Sequence, residues 1–181
     1  CRSNQQNYWQ RSPQNMCGIR RMERFFEKDK IILTGNPVRQ GLRNHHISRE
    51  DAIRSFGLDP SKKTILIVGG SLGARTINNC VMEGLDKIKT SGAQFIWQTG
   101  KIYIDEARAA VAQAGELPML HVTDFISDMA AAYSAADLII SRAGAGSISE
   151  FCLLQKPVIL VPSPNVAEDH QTKNALALVN K

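Results

Sequence analysis

The sequence predicts an α/β protein built on a Rossmann-like, doubly wound parallel sheet. From about residue 63 onward, short apolar runs such as Thr64–Val68 and Leu138–Ile140 alternate with segments of helical pattern. Continuous apolar runs are typical of parallel strands that are buried on both faces. Parallel neighbours need a crossover connection, usually a helix, so the alternation indicates successive βαβ units.

Each element can be placed along the chain. Predicted strands cover residues 64–68, 95–98, 120–122, 138–140 and 158–161. One predicted helix runs from the turn at 69–73 to about residue 89, and others cover 103–114, 129–134, 147–154 and 171–179. Ahead of these lie a short strand at 30–34, ended by Gly35-Asn36-Pro37, and a helix at 48–56 with Ser48 as its N-cap.

Three segments are predicted within the 181 residues: 1–21, 22–62 and 63–181. Residues 1–21 are predicted to form an aberrant or disordered N-terminal segment, 22–62 an interdomain segment that leads into the domain, and 63–181 the Rossmann-like domain. Residues 1–22 contain seven Asn or Gln, four Arg and no acid. Subtracting those four charges from the net +5 leaves +1 for the rest. A nucleic-acid partner is therefore not expected, because the basic charge lies outside the predicted fold.

Cysteine spacing and hydropathy exclude two further kinds of site. The four cysteines lack the spacing of metal ligands, so neither a metal nor another cofactor is expected. Cys80 and Cys152 lie in apolar helical patterns and are predicted to be free thiols in the core. No apolar run approaches the roughly 18 residues of a membrane span, and a signal peptide is not evident. A cytoplasmic location is the expectation.

Two glycine-rich segments follow predicted strands and open helices. They are Gly69–Ala74 and Ser141–Ser147. Such turns either allow a tight strand-to-helix connection or bring backbone N–H groups against a phosphate. Two of them at the carboxyl ends of strands in one sheet favour a phosphate ligand. Neither matches the P-loop or the dinucleotide fingerprint.

Glu150 stands one turn into the helix that follows the second glycine-rich segment. Its carboxylate could cap that helix, or it could face the cleft and accept two hydrogen bonds from a ribose diol. The second interpretation matches the role of a carboxylate in dinucleotide-binding folds.

Several blocks together resemble the MurG family of glycosyltransferases. They are Thr34–Arg39, Val68–Arg75, Trp97–Lys101, Phe125–Met129, Arg142–Ala145 and Glu168–Ala175, in family order within about Met22 to Lys181. The resemblance implies the C-terminal, donor-binding half of a two-domain (GT-B) enzyme. It further implies transfer of N-acetylglucosamine (GlcNAc) from UDP-GlcNAc to lipid I, which forms lipid II for peptidoglycan.

The resemblance also implies a role for individual residues. The Ser71 loop and the helix N-terminus at Ala145, Gly146 and Ser147 would hold the diphosphate. Glu150 would accept from the ribose hydroxyls, and the backbone of Ile126 would contact the uracil edge. Gln171 and Asn174 would bind GlcNAc hydroxyls, and Arg39 would lie near the donor. Each role has an alternative. Arg39 could be solvated, Ile126 could serve only the core, and Gln171 and Asn174 could lie on a helix surface without binding a ligand. His170 is expected to be structural or solvated.

The family resemblance places the lipid I acceptor site and the catalytic base in an N-terminal domain, so no catalytic residue is assigned here. The full-length protein is expected to be peripheral on the cytoplasmic face of the inner membrane. The chain is expected to stop before the family's closing helices and to be inactive alone. Two other functions stay open: a GT-B transferase that uses another nucleotide sugar, and a non-catalytic nucleotide-binding module.

Residues 1–21 are interpreted as an out-of-frame translation. Members of the family often carry Tyr-Ala-Gly-Val-Thr-Asn-Lys upstream of a Met-Glu-Arg-Phe-Phe segment like the one at Met22. A coding string for that heptapeptide, read two bases later, gives the sequence of Cys1–Gln6. The alternative is a genuine disordered basic tail.

Overall fold

The computed structural model describes residues 15–17, 27–42, 47–163 and 169–179. The chain divides into two compact units, Cys1–Arg39 and Gln40–Lys181. In the first unit, strand β1 (Asn15–Cys17) pairs in parallel with strand β2 (Ile31–Leu33). A 3₁₀ turn at Lys28–Lys30 leads into β2. Three residues of the 1–21 segment thus form a strand, and its other residues lie outside the described ones.

The second unit contains a five-stranded, wholly parallel sheet in the order β5-β4-β3-β6-β7. Its strands are β3 (Thr64–Val68), β4 (Gln94–Gln98), β5 (Leu120–Thr123), β6 (Leu138–Ser141) and β7 (Val158–Leu160). Its helices are α1 (Arg49–Ser55), α2 (Arg75–Glu83), α3 (Leu85–Thr90), α4 (Ile104–Ala114), α5 (Met129–Ala135), α6 (Ala145–Leu154) and α7 (His170–Val179). A 3₁₀ turn at Gln40–Leu42 precedes them. The predicted doubly wound α/β fold is confirmed.

Alternate residues of the central strand β3 face two separate cores. Leu66 and Val68 pack in a cluster with buried residues of α1, α5 and α6. Ile67 packs in a second cluster with buried residues of α2, α3 and α4. Helices therefore cover both faces of the sheet, which explains why its strands are continuous apolar runs. Helix α1 contributes Ala52 and Ile53 to the first core, so the segment before residue 63 packs with the domain.

The predicted single helix up to residue 89 is wrong in one respect, because the structure has two helices there. Gly84 separates α2 from α3, and its N–H donates to the carbonyls of Cys80 and Val81. Glycine has a low helix propensity, and here it ends the first helix. The cysteine prediction is also corrected in part. Cys80 and Cys152 are free thiols, but both are exposed and are not part of the core.

A buried polar cluster fixes α2 against the carboxyl end of β4. The indole Nε1 of Trp97 donates to Asn78 Oδ1 at 3.0 Å, and Asn78 Nδ2 donates to the Thr99 carbonyl at 2.8 Å. All three residues are fully buried. Because each buried polar atom in this chain of contacts has a partner, the start of α2 is held firmly at the edge where the strands end.

An ionic cluster fixes the opposite end of the sheet. Asp137, just before β6, accepts hydrogen bonds from the Thr64 N–H at 2.9 Å, from Arg49 Nη2 at 2.7 Å and from Lys63 Nζ at 3.2 Å. Burial alone would raise the pKa of Asp137, but these hydrogen bonds and charges outweigh it and lower the pKa below its ordinary value.

The variant Asp137→Asn is expected to lose about 1–3 kcal/mol of unfolding free energy at pH 7. A carboxyl whose pKa is lower in the folded state stabilises the fold above its ordinary pKa of about 3.9. That stabilisation is lost as the pH falls through the folded value, so the difference from the parent chain should shrink below about pH 4. Urea unfolding from pH 7 to pH 3 measures this difference, with Asp86→Asn at an exposed position of α3 as the control. A difference that stays constant over this range would contradict the assignment.

Within the described residues, no helix is long and apolar enough to cross a membrane.

Candidate functional site

The predicted glycine-rich segments lie side by side at the centre of the sheet. They follow β3 and β6, which are hydrogen-bonded neighbours, and the winding of the chain reverses between these two strands. This is the switch point, where ligands of open α/β sheets bind. Helices α2 and α6 begin here, and their N-caps Ala74 and Gly144 provide no side-chain cap. First-turn N–H groups have no intrahelical acceptor, so both helix ends favour an anion.

A cavity of about 400 Å³ opens at this point. It is lined by Gly69, Gly73, Ala74, Arg75, Thr76, Tyr103, Arg142, Ser163 and Gln171. The lining includes two arginines and no carboxylate, so its charge is positive. Together with the two helix N-termini, the cavity is suited to a diphosphate.

Arg142 is built into the wall of this cavity. Its Nη1 donates to the carbonyls of Val161 at 3.2 Å and Pro162 at 3.0 Å, which fixes the guanidinium against the segment after β7. Burial lowers the pKa of Arg142 below its ordinary value, yet an arginine stays protonated in proteins. The cavity therefore carries a positioned, permanent cation.

Backbone contact with a neighbouring turn shapes the first glycine-rich loop. Gly73 and Gly100 both have left-handed backbone angles, with φ of +83° and +80°. A Cβ on Gly100 would overlap the backbone of Gly73, and a Cβ on Gly73 would overlap the Thr99 carbonyl. Only glycine fits both positions, since they combine a left-handed φ with this close approach.

Gln98 connects the same loop to the segment before α5. Its Nε2 donates to the Gly70 carbonyl at 3.2 Å, and its Oε1 accepts from the Ile126 N–H at 3.2 Å. Ile126 itself is buried in the core. The backbone of Ile126 is predicted to contact uracil, and its N–H already donates to Gln98, so a uracil contact through that N–H would have to replace or share this hydrogen bond.

Glu150 is buried beside a tyrosine. It is the sixth residue of α6, beyond the first turn, and only 8% of its surface is exposed. Its Oε2 accepts a hydrogen bond from the Tyr133 hydroxyl at 2.8 Å. Tyr133 is itself 3% exposed and packs edge-on against Phe151, with ring centroids 5.8 Å apart.

Helix α7 brings its two predicted donor residues to the ends of the strands. Gln171 Oε1 accepts from the Ser163 N–H at 2.9 Å, and Gln171 lines the cavity. Asn174 Nδ2 donates to the Ala143 carbonyl at 3.1 Å, in the loop after β6. His170, the first residue of α7, is exposed.

The other predicted residues separate into two groups. Ser71 lies exposed in the first glycine-rich turn, and Ala145, Gly146 and Ser147 form the first turn of α6. All four belong to the two glycine-rich segments that contribute Gly69, Gly73 and Arg142 to the lining, but none of the four lines the cavity itself. Arg39 is exposed in the unit Cys1–Arg39, and its contact with a donor stays a prediction.

Some residues of the site could not be selected from the sequence. Arg75 and Arg142 belong to the segments that resemble the MurG family, yet only the fold shows that both line one cavity. Tyr133 is not part of any sequence motif, and only the structure shows its hydrogen bond between two helices. Among the described residues, no group of three His, Cys, Asp or Glu side chains could hold a metal ion.

Residues 64–181 match the model of the glycosyltransferase family 28 C-terminal domain. The chain belongs to glycosyltransferase family 28. The matched residues include the whole parallel sheet and both glycine-rich loops, so the family 28 assignment rests on the part of the chain that forms the cavity.

Relatives in the same family are very similar over this part of the chain. A UDP-N-acetylglucosamine–N-acetylmuramyl-(pentapeptide) pyrophosphoryl-undecaprenol N-acetylglucosamine transferase of Phocaeicola vulgatus is 98% identical over 160 residues. The alignment covers 88% of this chain and 43% of the relative. The enzyme of the same name from Bacteroides fragilis is 74% identical over 161 residues, which cover 88% and 42%. The chain thus spans less than half the length of these relatives.

Solved structures confirm the family 28 fold. MurG of Acinetobacter baumannii superposes with a TM-score of 0.60 at 31% identity, over 84% of this chain and 42% of that one. The kitacinnamycin glycosyltransferase superposes with a TM-score of 0.57 over 92% of this chain and 40% of that one, and its 16% identity shows the fold alone. The predicted resemblance to the MurG family is confirmed, and so is the predicted fold of a GT-B C-terminal domain.

Proposed function

We propose that this chain is the donor half of an enzyme that transfers GlcNAc from UDP-GlcNAc to lipid I, producing lipid II for peptidoglycan. The observation that carries the proposal is the carboxylate-free cavity with Arg75 and Arg142, at a switch point flanked by two helix N-termini whose N-cap residues make no side-chain cap. The names of the similar transferases support the choice of sugar and acceptor.

The donor is proposed to lie across the ends of the strands. Its diphosphate occupies the cavity, held by the Ser71 loop and the first turn of α6. Its nucleoside lies on the side of α5 and α6, with uracil at Ile126 and ribose at Glu150. Its sugar lies toward α7, where Gln171 and Asn174 reach the hydroxyls. Glu150, Gln171 and Asn174 are already fixed by hydrogen bonds to a neighbouring helix or a strand-end loop, which reduces the ordering cost of binding.

The reaction breaks the bond between the anomeric carbon of GlcNAc and the β-phosphate oxygen while the acceptor hydroxyl attacks. Negative charge then develops on the departing UDP. The guanidinium of Arg142 and the N–H groups at the start of α2 and α6 stabilise that charge, because they are positioned before the reaction begins. The acceptor contacts and the base are proposed to come from the remainder of the full-length protein, which would act at the cytoplasmic face of the membrane.

Two other functions make different predictions. A transferase for another nucleotide sugar would share the cavity and Glu150 but not the preference for GlcNAc. A non-catalytic binding module would bind the nucleotide without any contribution of α7 to sugar selectivity. Gln171 and Asn174 therefore discriminate between these functions and the proposed one.

Calorimetric titration of the 181-residue chain with UDP, UDP-GlcNAc, UDP-glucose and GDP-mannose tests the proposal. The chain is expected to prefer UDP-GlcNAc over UDP-glucose, and both over GDP-mannose. Gln171→Ala and Asn174→Ala should each reduce that sugar preference by about fivefold, because one hydrogen bond contributes about 1 kcal/mol. Lys173→Ala, an exposed position on the same helix, is the control. Equal affinity for all three sugar nucleotides would overturn the proposed donor.

A further inference from the structure

A buried hydrogen bond between Tyr133 and Glu150 connects the proposed uracil side of the nucleoside site with its proposed ribose side. Tyr133 belongs to α5, which follows the segment of Ile126, and Glu150 belongs to α6, which follows the second glycine-rich loop. The hydroxyl and the carboxylate meet at 2.8 Å with both residues at least nine-tenths buried. A glutamate side chain has three rotatable bonds, so a neighbour that fixes its carboxylate determines where it can accept a ligand.

Tyr133 is well suited to that task because it is itself fixed. Its ring packs edge-on against Phe151 within the core cluster that α1, α5 and α6 share. A carboxylate provides about four acceptor positions, and the hydroxyl of Tyr133 occupies one of them. A bond to a charged acceptor is also stronger than one between neutral groups.

We infer that Tyr133 is a positioning residue for ribose recognition. It holds the carboxylate of Glu150 in the orientation that accepts the ribose hydroxyls. This inference rests on the proposed function, because it takes Glu150 as the ribose contact. Tyr133 touches neither the donor nor the reacting atoms.

The test compares UDP with 2′-deoxy-UDP on the 181-residue chain by calorimetry. The variants are Tyr133→Phe, Glu150→Ala and their combination. Tyr133→Phe removes only the hydroxyl and keeps the ring against Phe151, so the fold is retained, which circular dichroism checks. Ser134→Ala, which removes a hydroxyl from the next residue of α5, is the matched control.

Tyr133→Phe is expected to weaken UDP binding by about fivefold to tenfold and to weaken 2′-deoxy-UDP binding much less. The preference for UDP should fall accordingly. In the Glu150→Ala background, Tyr133→Phe should cause no further loss, because its effect passes through that carboxylate. Ser134→Ala should leave both affinities unchanged.

Three results would overturn the inference. One is an equal loss of both nucleotides in Tyr133→Phe, which would indicate a purely structural bond. Another is an unchanged preference for UDP in Tyr133→Phe while Glu150→Ala still abolishes it. In that case Glu150 would remain the ribose contact and only the role of Tyr133 would be wrong.

If Glu150→Ala also leaves the preference unchanged, the ribose assignment itself is wrong. Failure of the folded parent chain to bind UDP at all would overturn the proposed function.

Discussion

Replacing Glu150 with alanine is expected to weaken UDP binding by roughly 2–4 kcal/mol, or about 30- to 1000-fold. The carboxylate is proposed to accept two hydrogen bonds from the ribose, and its burial makes these bonds strong because water competes little at the site. The substitution also leaves the hydroxyl of Tyr133 without its partner Glu150. We therefore expect a smaller loss of unfolding free energy, about 1–3 kcal/mol, alongside the loss of affinity.

Two measurements separate these effects. Thermal unfolding of Glu150→Ala reports the stability change, and calorimetry below the unfolding range reports the affinity. Glu83→Ala, at an exposed position on α2, serves as the control for removal of one negative charge. Unchanged UDP affinity in a folded Glu150→Ala chain would refute the assignment of Glu150, whatever happened to its stability.

The second large effect is expected at Gly100. Alanine there would adopt a left-handed backbone at a cost of about 1–2 kcal/mol. Its Cβ would also overlap the backbone of Gly73 and Leu72, which cannot move aside as a flexible side chain could. Overlap in a packed region adds about 1–3 kcal/mol. Gly100→Ala should thus lose about 3 kcal/mol or more of unfolding free energy, measured in urea.

Gly92 provides a matched control for this substitution. It has a similar left-handed φ of +74°, but a Cβ there meets nothing within 4 Å. Gly92→Ala should therefore show the backbone cost alone. If the two variants lose the same stability, the contact between the loops contributes nothing. Because that contact also shapes the wall of the cavity, Gly100→Ala should lower UDP affinity as well, whereas Gly92→Ala should not.

The sequence was sufficient to predict the sheet because its central strands β3 and β4 are almost wholly buried and therefore apolar. The strands at Thr64–Val68 and Leu138–Ile140 could be placed from their apolar runs and from the glycines that follow them. The break at Gly84 was missed because an isolated glycine inside a helical pattern does not by itself end a helix. The exposure of Cys80 and Cys152 was missed because periodicity indicates a helix but does not reliably indicate which face is covered.

The site was predictable only where a residue acts through its own motif or through family resemblance. The glycine-rich loops have a recognisable pattern, and their position on adjacent strands follows from the winding of the chain. Gln98, Tyr133 and Arg142 act through partners that are 17 to 28 residues away in the chain. Such pairings depend on tertiary packing, and a single sequence contains no local signal for them. The ribose role of Glu150 was suggested by its place after the second glycine-rich segment, whereas the roles of Gln171 and Asn174 came from the resemblance alone. Binding measurements will decide all three.

The backbone contact between Gly73 and Gly100 also bears on protein engineering. The loop at 69–74 is not a module that can be exchanged by itself, because the turn at 99–101 and the amide of Gln98 determine its course. A chimaera that receives only the first segment from another member of the family would bring a foreign loop against Gly100, a position that tolerates no side chain. Attempts to redirect donor preference in this fold should therefore transplant 69–74 and 98–101 together.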